Sequence, residues 1–376
     1  MPALMRVPAA NLRAQHDALR AELRAAFDRV VDASAFIHGA EVEAFEHEFA
    51  AVCEVPHAVG VSNGTEALAL ALRALAVGQG DFVALPAFTF AATAEAVYHV
   101  GARPVLVDID PATFTLDTEA LRRTLQARSV RAIIPVHLYG QPAAMDEITA
   151  LAQECGAAVV EDAAQAHGAR YRGRRVGGLG RLGCFSFYPS KNLGALGDAG
   201  AVTTHDAELA ARLRLLRDHG QTKKYVHSIV GFNARLDGLQ AALLRVKLPH
   251  LDQWNARRQA LAAAYRRGLA GLPGITLPET AAGREHVYHL FVVRCGERDA
   301  LHEHLDHCGI ATAVHYAVPL HLQPAFASLG YRAGDFPASE AAAHEVLALP
   351  LYPELTEKAL TWVCDTIRSW TEGRRS

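Results

Sequence analysis

Short runs of nearly continuous apolar residues alternate with helix-length segments through the middle of this 376-residue chain. The runs fall at 57–61, 82–85, 105–109, 132–136 and 158–160. Between them, an alanine- and leucine-rich segment at 66–76, the stretches after Thr89 and from Thr118, and residues 143–155 read as helices. A strand that is apolar along its whole length, instead of alternating, is buried on both faces. Strands of that kind separated by helices predict an α/β protein with a large, mostly parallel sheet covered on both sides. Ligands of such sheets bind beyond the carboxyl ends of the strands. Two more strands, 184–188 and 200–204, precede a helix at 206–218.

The flanks follow other patterns. Leu12, Leu19, Leu23, Phe27 and Val31 recur at helical spacing, predicting an amphipathic N-terminal helix for packing or dimer contact. A second helix is expected from about 41 to 53, after His38-Gly39. Residues 236–269 read as a long helical region that Pro249 kinks or splits. Leu272-Pro273-Gly274 marks a boundary, followed by a strand at 288–293, a helix at 299–308, a strand ending near His315 and a terminal helix from Thr356. A chain of this length exceeds a single core. Two domains are expected: 1–270, with the N-terminal helices, the large sheet and a connecting helix, and 271–376, a smaller α/β unit.

Composition narrows the function classes. A net charge of −3 with 20% charged residues gives no global field to recruit nucleic acid or an acidic membrane. The six cysteines are scattered, with no CxxC pair, and read as reduced cytosolic thiols. No apolar stretch suits a signal peptide or a membrane span. A cytoplasmic protein without membrane or nucleic-acid partners is expected.

Among the 37 basic residues only five are lysines: Lys191, Lys223, Lys224, Lys247 and Lys358. Lys191 follows the strand-like Phe185-Ser186-Phe187-Tyr188 and sits beside Pro189 and Ser190. Arginine stays charged, whereas a desolvated lysine becomes a nucleophile able to form a Schiff base. Pyridoxal phosphate on Lys191 would use the surrounding motifs. Asp162, at the end of the run 158–160, would meet the protonated ring nitrogen and keep the ring an electron sink. Gln165 would donate to the phenolic oxygen. The turn Ser62-Asn63-Gly64-Thr65 between strand and helix would form an anion site at the positive helix end, with simple helix capping as the other reading. Ser186 would add a phosphate hydroxyl, sharing a strand face with Tyr188, and an aromatic of Pro86-Ala87-Phe88-Thr89-Phe90 would stack on the ring.

Taken together, SNGTEAL, PAFTF, EDAAQAHGA, SFYPSKNLG, GFNARLDGLQAA and HYAVPLHLQP resemble, in order and across nearly the whole chain, the DegT/StrS family of pyridoxal-phosphate-dependent nucleotide-sugar aminotransferases. The resemblance implies a fold type I aminotransferase, a homodimer with active sites at the subunit interface. It places Gly64, Thr65 and Ser186 at the cofactor phosphate, Phe88 on the ring, Asp162 and Gln165 at its nitrogen and oxygen, and Lys191 at its aldehyde carbon. Asn233 would reach the phosphate from the partner subunit. Tyr188, His315 and Tyr316 would surround the sugar, and Lys223, Lys224 and Arg235 would face the nucleotide diphosphate. Related dehydratases replace the Schiff-base lysine with histidine, and this chain keeps Lys191. Transfer of an amino group from an amino acid, by analogy L-glutamate, to a dTDP- or UDP-linked 3- or 4-keto hexose is therefore expected. A keto-cyclitol aminotransferase and a non-catalytic regulatory protein that binds the cofactor stand as alternatives.

Two signals are set aside. Gly178-Leu179-Gly180-Arg181-Leu182-Gly183 spells GxGxxG but precedes a strand instead of following one, so it is read as a loop. His302, His304 and His307 lie on one expected helix at spacings that do not share a face, so no metal site is expected.

Overall fold

Seven strands make the central sheet of the computed structural model, which describes residues 5–374. In spatial order they are His57–Val61, Gly200–Thr204, Leu182–Ser186, Ala158–Asp162, Ala132–Ile133, Phe82–Pro86 and Arg103–Val107. Gly200–Thr204 runs antiparallel to both of its neighbours, and the other pairs are parallel. Alternate side chains point to opposite faces. Val83 and Leu85 meet the helices Gly64–Ala74, Ala91–His99 and Ala207–Arg217 through Leu70, Val97 and Leu213. Ala84 meets the helices Thr118–Ala127 and Met145–Cys155 through Leu121 and Ile148. Phe185 lies on the side where Phe45 and Phe49 of the helix Ala40–Val52 pack. The expected α/β architecture, a mostly parallel sheet with both faces covered, is what the chain forms.

Several boundaries differ from the sequence expectation. The run 132–136 is a strand only over Ala132–Ile133, with Val136 in an isolated bridge to Asp162. The strand before Lys191 ends at Ser186, because the chain leaves the sheet ahead of Pro189, which has no N–H for a ladder. Tyr188 therefore shares no strand face with Ser186 and is 56% exposed. No strand ends near His315. The segment instead makes single bridges, Val7 to Ile310 and Ala313 to Ala348. The N-terminal helix breaks at Leu19 into Leu12–Ala18 and Arg20–Ala33. Leu23, Ala26 and Val30 are buried, whereas Phe27 and Val31 remain 47% and 42% exposed. Pro249 splits its region as expected: a 3-10 turn, Leu248–His250, separates Gly238–Lys247 from Leu251–Leu269.

A second core forms around a three-stranded antiparallel sheet of Ile275–Thr276, Phe291–Cys295 and Val346–Leu349. Phe291, Leu347, Val363 and Ile367 pack there with Leu261 and Tyr265 from the long helix Leu251–Leu269. The same helix buries Asn255 against the first core, where its side chain bonds the carbonyl of His167 and the amide of Asn192. One helix thus fixes the small sheet relative to the loop after Lys191.

Candidate active site

A cleft of about 600 Å³ opens beyond the carboxyl ends of the parallel strands. Its walls come from the turn after Val61, the segment after Pro86, Asp162 to Gln165, Ser186 to Lys191, and His289, His315 and Tyr316 from the side of the small sheet.

Lys191 projects from the turn that follows Leu182–Ser186, its backbone N–H donating to the Tyr188 carbonyl. Burial lowers its amine to about 8, and the Asp162 carboxylate offsets part of that effect. Roughly one-tenth of Lys191 is therefore a neutral nucleophile at pH 7, and the share rises steeply toward pH 8. Asp162 is the last residue of its strand and accepts from the Thr93 hydroxyl at 2.9 Å and the Ala164 N–H at 3.2 Å. Burial nonetheless raises its pKa above the usual carboxylate range. A buried carboxylate in that condition would be stabilised by a cation arriving in the cleft.

The opposite end of the cleft is the start of the helix Gly64–Ala74. Asn63 caps it by accepting from the Glu66 N–H at 2.9 Å, and the earlier N–H groups lie at the positive helix end. Thr65 and Ser186 line the same corner. A Cβ on Gly64 would lie 2.6 Å from that of Ser186, so the close approach of helix and strand requires glycine. Anion-binding N–H groups, a buried carboxylate and an amine that gives up its proton near pH 8 in one cleft are the donor set that a phosphorylated pyridine aldehyde calls for, and the residues present fit pyridoxal phosphate.

Gln165 fastens the wall: its Oε1 accepts from the Tyr139 N–H at 2.7 Å and its Nε2 donates to the Tyr316 hydroxyl at 3.2 Å. Tyr139 donates its hydroxyl to the His315 carbonyl. His315 and His289 are held neutral, chiefly by burial and then by the nearby Lys191, and each buries an Nδ1 without a partner among the described residues. These two rings are free to address a ligand.

The aromatic expectation needs correction. Phe88 is fully buried among Ile109, Phe114 and Val136 and does not line the cleft. Phe90 lines it, is 57% exposed and lies 5.7 Å from the Tyr316 ring. The chain bends over residues 87–89 and then enters Ala91–His99, so strand alternation no longer decides which ring faces the cleft. Phe88→Ala should cost about 3–5 kcal/mol of stability. Phe90→Ala should cost about 0.5 kcal/mol or less while weakening cofactor binding several-fold, about the worth of one aromatic contact. Urea denaturation and cofactor titration of the two variants separate these effects.

The structure does not bring Asn233, Lys223, Lys224 or Arg235 to this cleft. Asn233 is exposed, in a single bridge to Asp218. Lys223 and Lys224 are exposed on the hairpin Gln221–Lys223 and Val226–His227. Arg235 pairs with Asp218 at 2.7 Å. Tyr188 lies at the mouth. Sequence reasoning missed Thr93 and His289, and of the two aromatics in Pro86-Ala87-Phe88-Thr89-Phe90 the resemblance favoured Phe88 over Phe90. Thr89 and Thr93 stand one helical turn apart and their hydroxyls lie 3.1 Å apart, a spacing that was available as a signal, whereas nothing in the sequence marked His289.

The GxGxxG loop wraps an internal anion. The N–H groups of Gly177, Leu179 and Gly180 donate at 2.7–2.8 Å to the fully buried Glu161, which also meets His137 Nε2 at 3.0 Å. His302 bonds Thr312, and no group of potential metal ligands occurs among the described residues.

Known proteins agree with this geometry. A dTDP-3-amino-3,4,6-trideoxy-alpha-D-glucose transaminase of Streptomyces venezuelae is 52% identical over 98% of this chain and 97% of its own. The erythromycin biosynthesis sensory transduction protein EryC1 of Saccharopolyspora erythraea is also 52% identical, over 97% of this chain and all of its own. The crystal structure of S. venezuelae DesV in complex with a ketimine intermediate superposes with a TM-score of 0.95 at 52% identity, covering 98% of this chain and 99% of that one. NtdA from Bacillus subtilis, with bound cofactor PMP, superposes at 0.90 with 31% identity, covering 98% and 85%. The family model for DegT/DnrJ/EryC1/StrS aminotransferases matches residues 17–368. With that match spanning both cores and the cleft between strand ends and small sheet, the chain belongs to the DegT/DnrJ/EryC1/StrS aminotransferase family.

Proposed function

We propose that this protein is a pyridoxal-phosphate-dependent aminotransferase that moves the amino group of an amino acid, L-glutamate, to the keto carbon of a dTDP- or UDP-linked 3- or 4-keto hexose, yielding an amino sugar and the 2-oxo acid. The observation that carries the reading is the meeting of Lys191, Asp162 and the Gly64-Thr65 helix start in one cleft. The likeness to nucleotide-sugar transaminases supports the acceptor class.

The cofactor, when bound, supplies the electron sink for deprotonation at the amino-bearing carbon. The chain's residues do the rest. Lys191 would hold the aldehyde carbon, and its amine is placed to take a proton from one carbon and return it to the other as general base and acid. Asp162 holds the ring nitrogen protonated, oriented by Thr93. Gly64, Thr65 and Ser186 hold the phosphate, Gln165 meets the phenolic oxygen, and Phe90 replaces Phe88 as the stacking ring. Tyr188, His315 and Tyr316 surround the sugar. Asn233, Lys223, Lys224 and Arg235 serve the partner's cleft in a homodimer, a reading supported by their distance from their own cleft and by the exposed apolar side chains Ile229 and Val230 on the same segment. The working unit is a cytoplasmic homodimer with a large domain at 1–270 and a small one at 271–376.

Incubating the loaded enzyme with 15N-glutamate and dTDP- or UDP-linked 3- or 4-keto hexoses should place 15N on one sugar. A keto-cyclitol aminated as fast by the Lys223→Ala/Lys224→Ala variant as by the parent would overturn the nucleotide assignment. Loss of no amino group from glutamate would point to a regulatory protein instead.

Capture of the cofactor by the apoprotein has a defined pH dependence. The neutral amine is the nucleophile and its fraction rises as pH climbs through about 8. Stopped-flow capture should therefore accelerate from pH 6 and level off above that value, roughly tenfold per unit on the acid side.

A further inference from the structure

Lys191 has a counterpart that the chemistry above leaves unused. Of the other four lysines, Lys223, Lys224 and Lys358 are exposed, and Lys247 is fully buried. It ends the helix Gly238–Lys247, and its Nζ donates to the Gly194 carbonyl at 2.8 Å and lies 3.0 Å from His16 Nε2 on the helix Leu12–Ala18. Burial lowers Lys247 to about 8, with no carboxylate offsetting it, and burial with the Lys247 charge holds His16 neutral and so able to accept. Enclosing an ammonium with only a carbonyl and an imidazole for partners is costly, and an apolar side chain of equal length would fill the space at lower cost.

The carbonyl it holds belongs to the turn that presents Lys191. Residues 188–199 form neither helix nor strand. The chain doubles back so tightly that a Cβ on Gly194 would collide with the Pro189 carbonyl. Ala195 N–H closes the return on the Phe187 carbonyl at 2.8 Å, and Asn192 bonds Asn255 and the Val287 carbonyl. The first contact closes the turn and the second holds its middle beside Lys191, and among the described residues Lys247 supplies the charged donor to the carbonyl of the closing Gly194–Ala195 peptide. We propose that Lys247 is a positioning residue for Lys191, its ammonium fixing the Gly194 carbonyl and with it the closed turn, while His16 ties the N-terminal helix to the same point. The proposal rests on Lys191 being the cofactor-bearing amine.

The test loads wild type, Lys247→Met and Lys247→Gln with pyridoxal phosphate. It records cofactor release into a trapping apoenzyme and the pH midpoint of the visible absorption band, with circular dichroism as the check on folding. Lys247→Met should release cofactor at least about tenfold faster, the scale of one charged hydrogen bond, and shift the midpoint. Lys247→Gln, which keeps an N–H for Gly194, should stay within about threefold of wild type. A folded Lys247→Met with wild-type release and midpoint would overturn the proposal. If that variant does not fold, His16→Ala decides by deuterium exchange: faster exchange of amides 190–197 supports the tie and unchanged exchange refutes it. A wild-type protein that shows no visible band would instead refute the Lys191 reading.

Discussion

Lys191→Ala should leave a folded protein that binds pyridoxal phosphate reversibly and transfers the amino group at least about 10⁴-fold more slowly. The substitution removes both the nucleophile that holds the cofactor and the group that carries the proton between two carbons. Its stability effect has the opposite sign. The folded-state pKa of about 8 lies below the ordinary 10.5, so burying the ammonium costs stability below about pH 8, and the cost is relieved as pH rises from there toward 10.5. At pH 7 the apo variant should melt no lower than wild type. Single-turnover transfer from glutamate to the keto nucleotide sugar, with melting curves of the two apoproteins, checks both halves.

Asp162→Asn should lower transfer by about 10²–10⁴-fold, the rate equivalent of the roughly 3–5 kcal/mol lost when one partner of a buried pair is removed. Asparagine keeps an oxygen for Thr93 and removes the charge, together with the weaker acceptor for the Ala164 N–H. The apoprotein should respond in the other direction. Burial raises the folded-state pKa of Asp162 above 3.8, so its contribution to stability is present below that value and lost as pH rises through the folded pKa. At neutral pH the ionised carboxylate is a liability until a cation reaches it, and the apo variant should melt higher than wild type. Cofactor should stabilise wild type more than the variant, which differential melting with and without pyridoxal phosphate measures.

The features legible in the sequence were those governed by local pattern. Uninterrupted apolar runs marked five of the seven sheet strands, because burial on both faces leaves no alternation. Lys191, Asp162 and Gly64 were legible because each stands at or after the carboxyl end of a strand, and the cleft of a parallel sheet lies there. What failed depended on contacts remote in sequence. Phe88 and Phe90 both follow the same strand, and only the bend at 87–89 and the packing of Phe114 and Val136 decide which one is buried. The stripe through Phe27 and Val31 reads as serving packing or dimer contact; within the chain Leu23, Ala26 and Val30 do the packing against Leu243, and Phe27 and Val31 stay exposed. A strand toward His315 was suggested by its apolar neighbours, whereas that segment is held by the Tyr139 hydroxyl instead of by a ladder. Glu161 carried an overlooked signal: a carboxylate inside an apolar strand requires donors, and the glycine loop at 177–180 provides them.

Lys191, on the reading above, is the amine that holds the cofactor and yields it to the amino donor. Borohydride reduction of the loaded enzyme followed by peptide mass mapping tests this assignment most directly. A pyridoxyl mass should appear on the peptide containing Lys191, and should be absent when L-glutamate is added before reduction. A label on Lys247 or any other lysine, or a Lys191 label indifferent to glutamate, would contradict it.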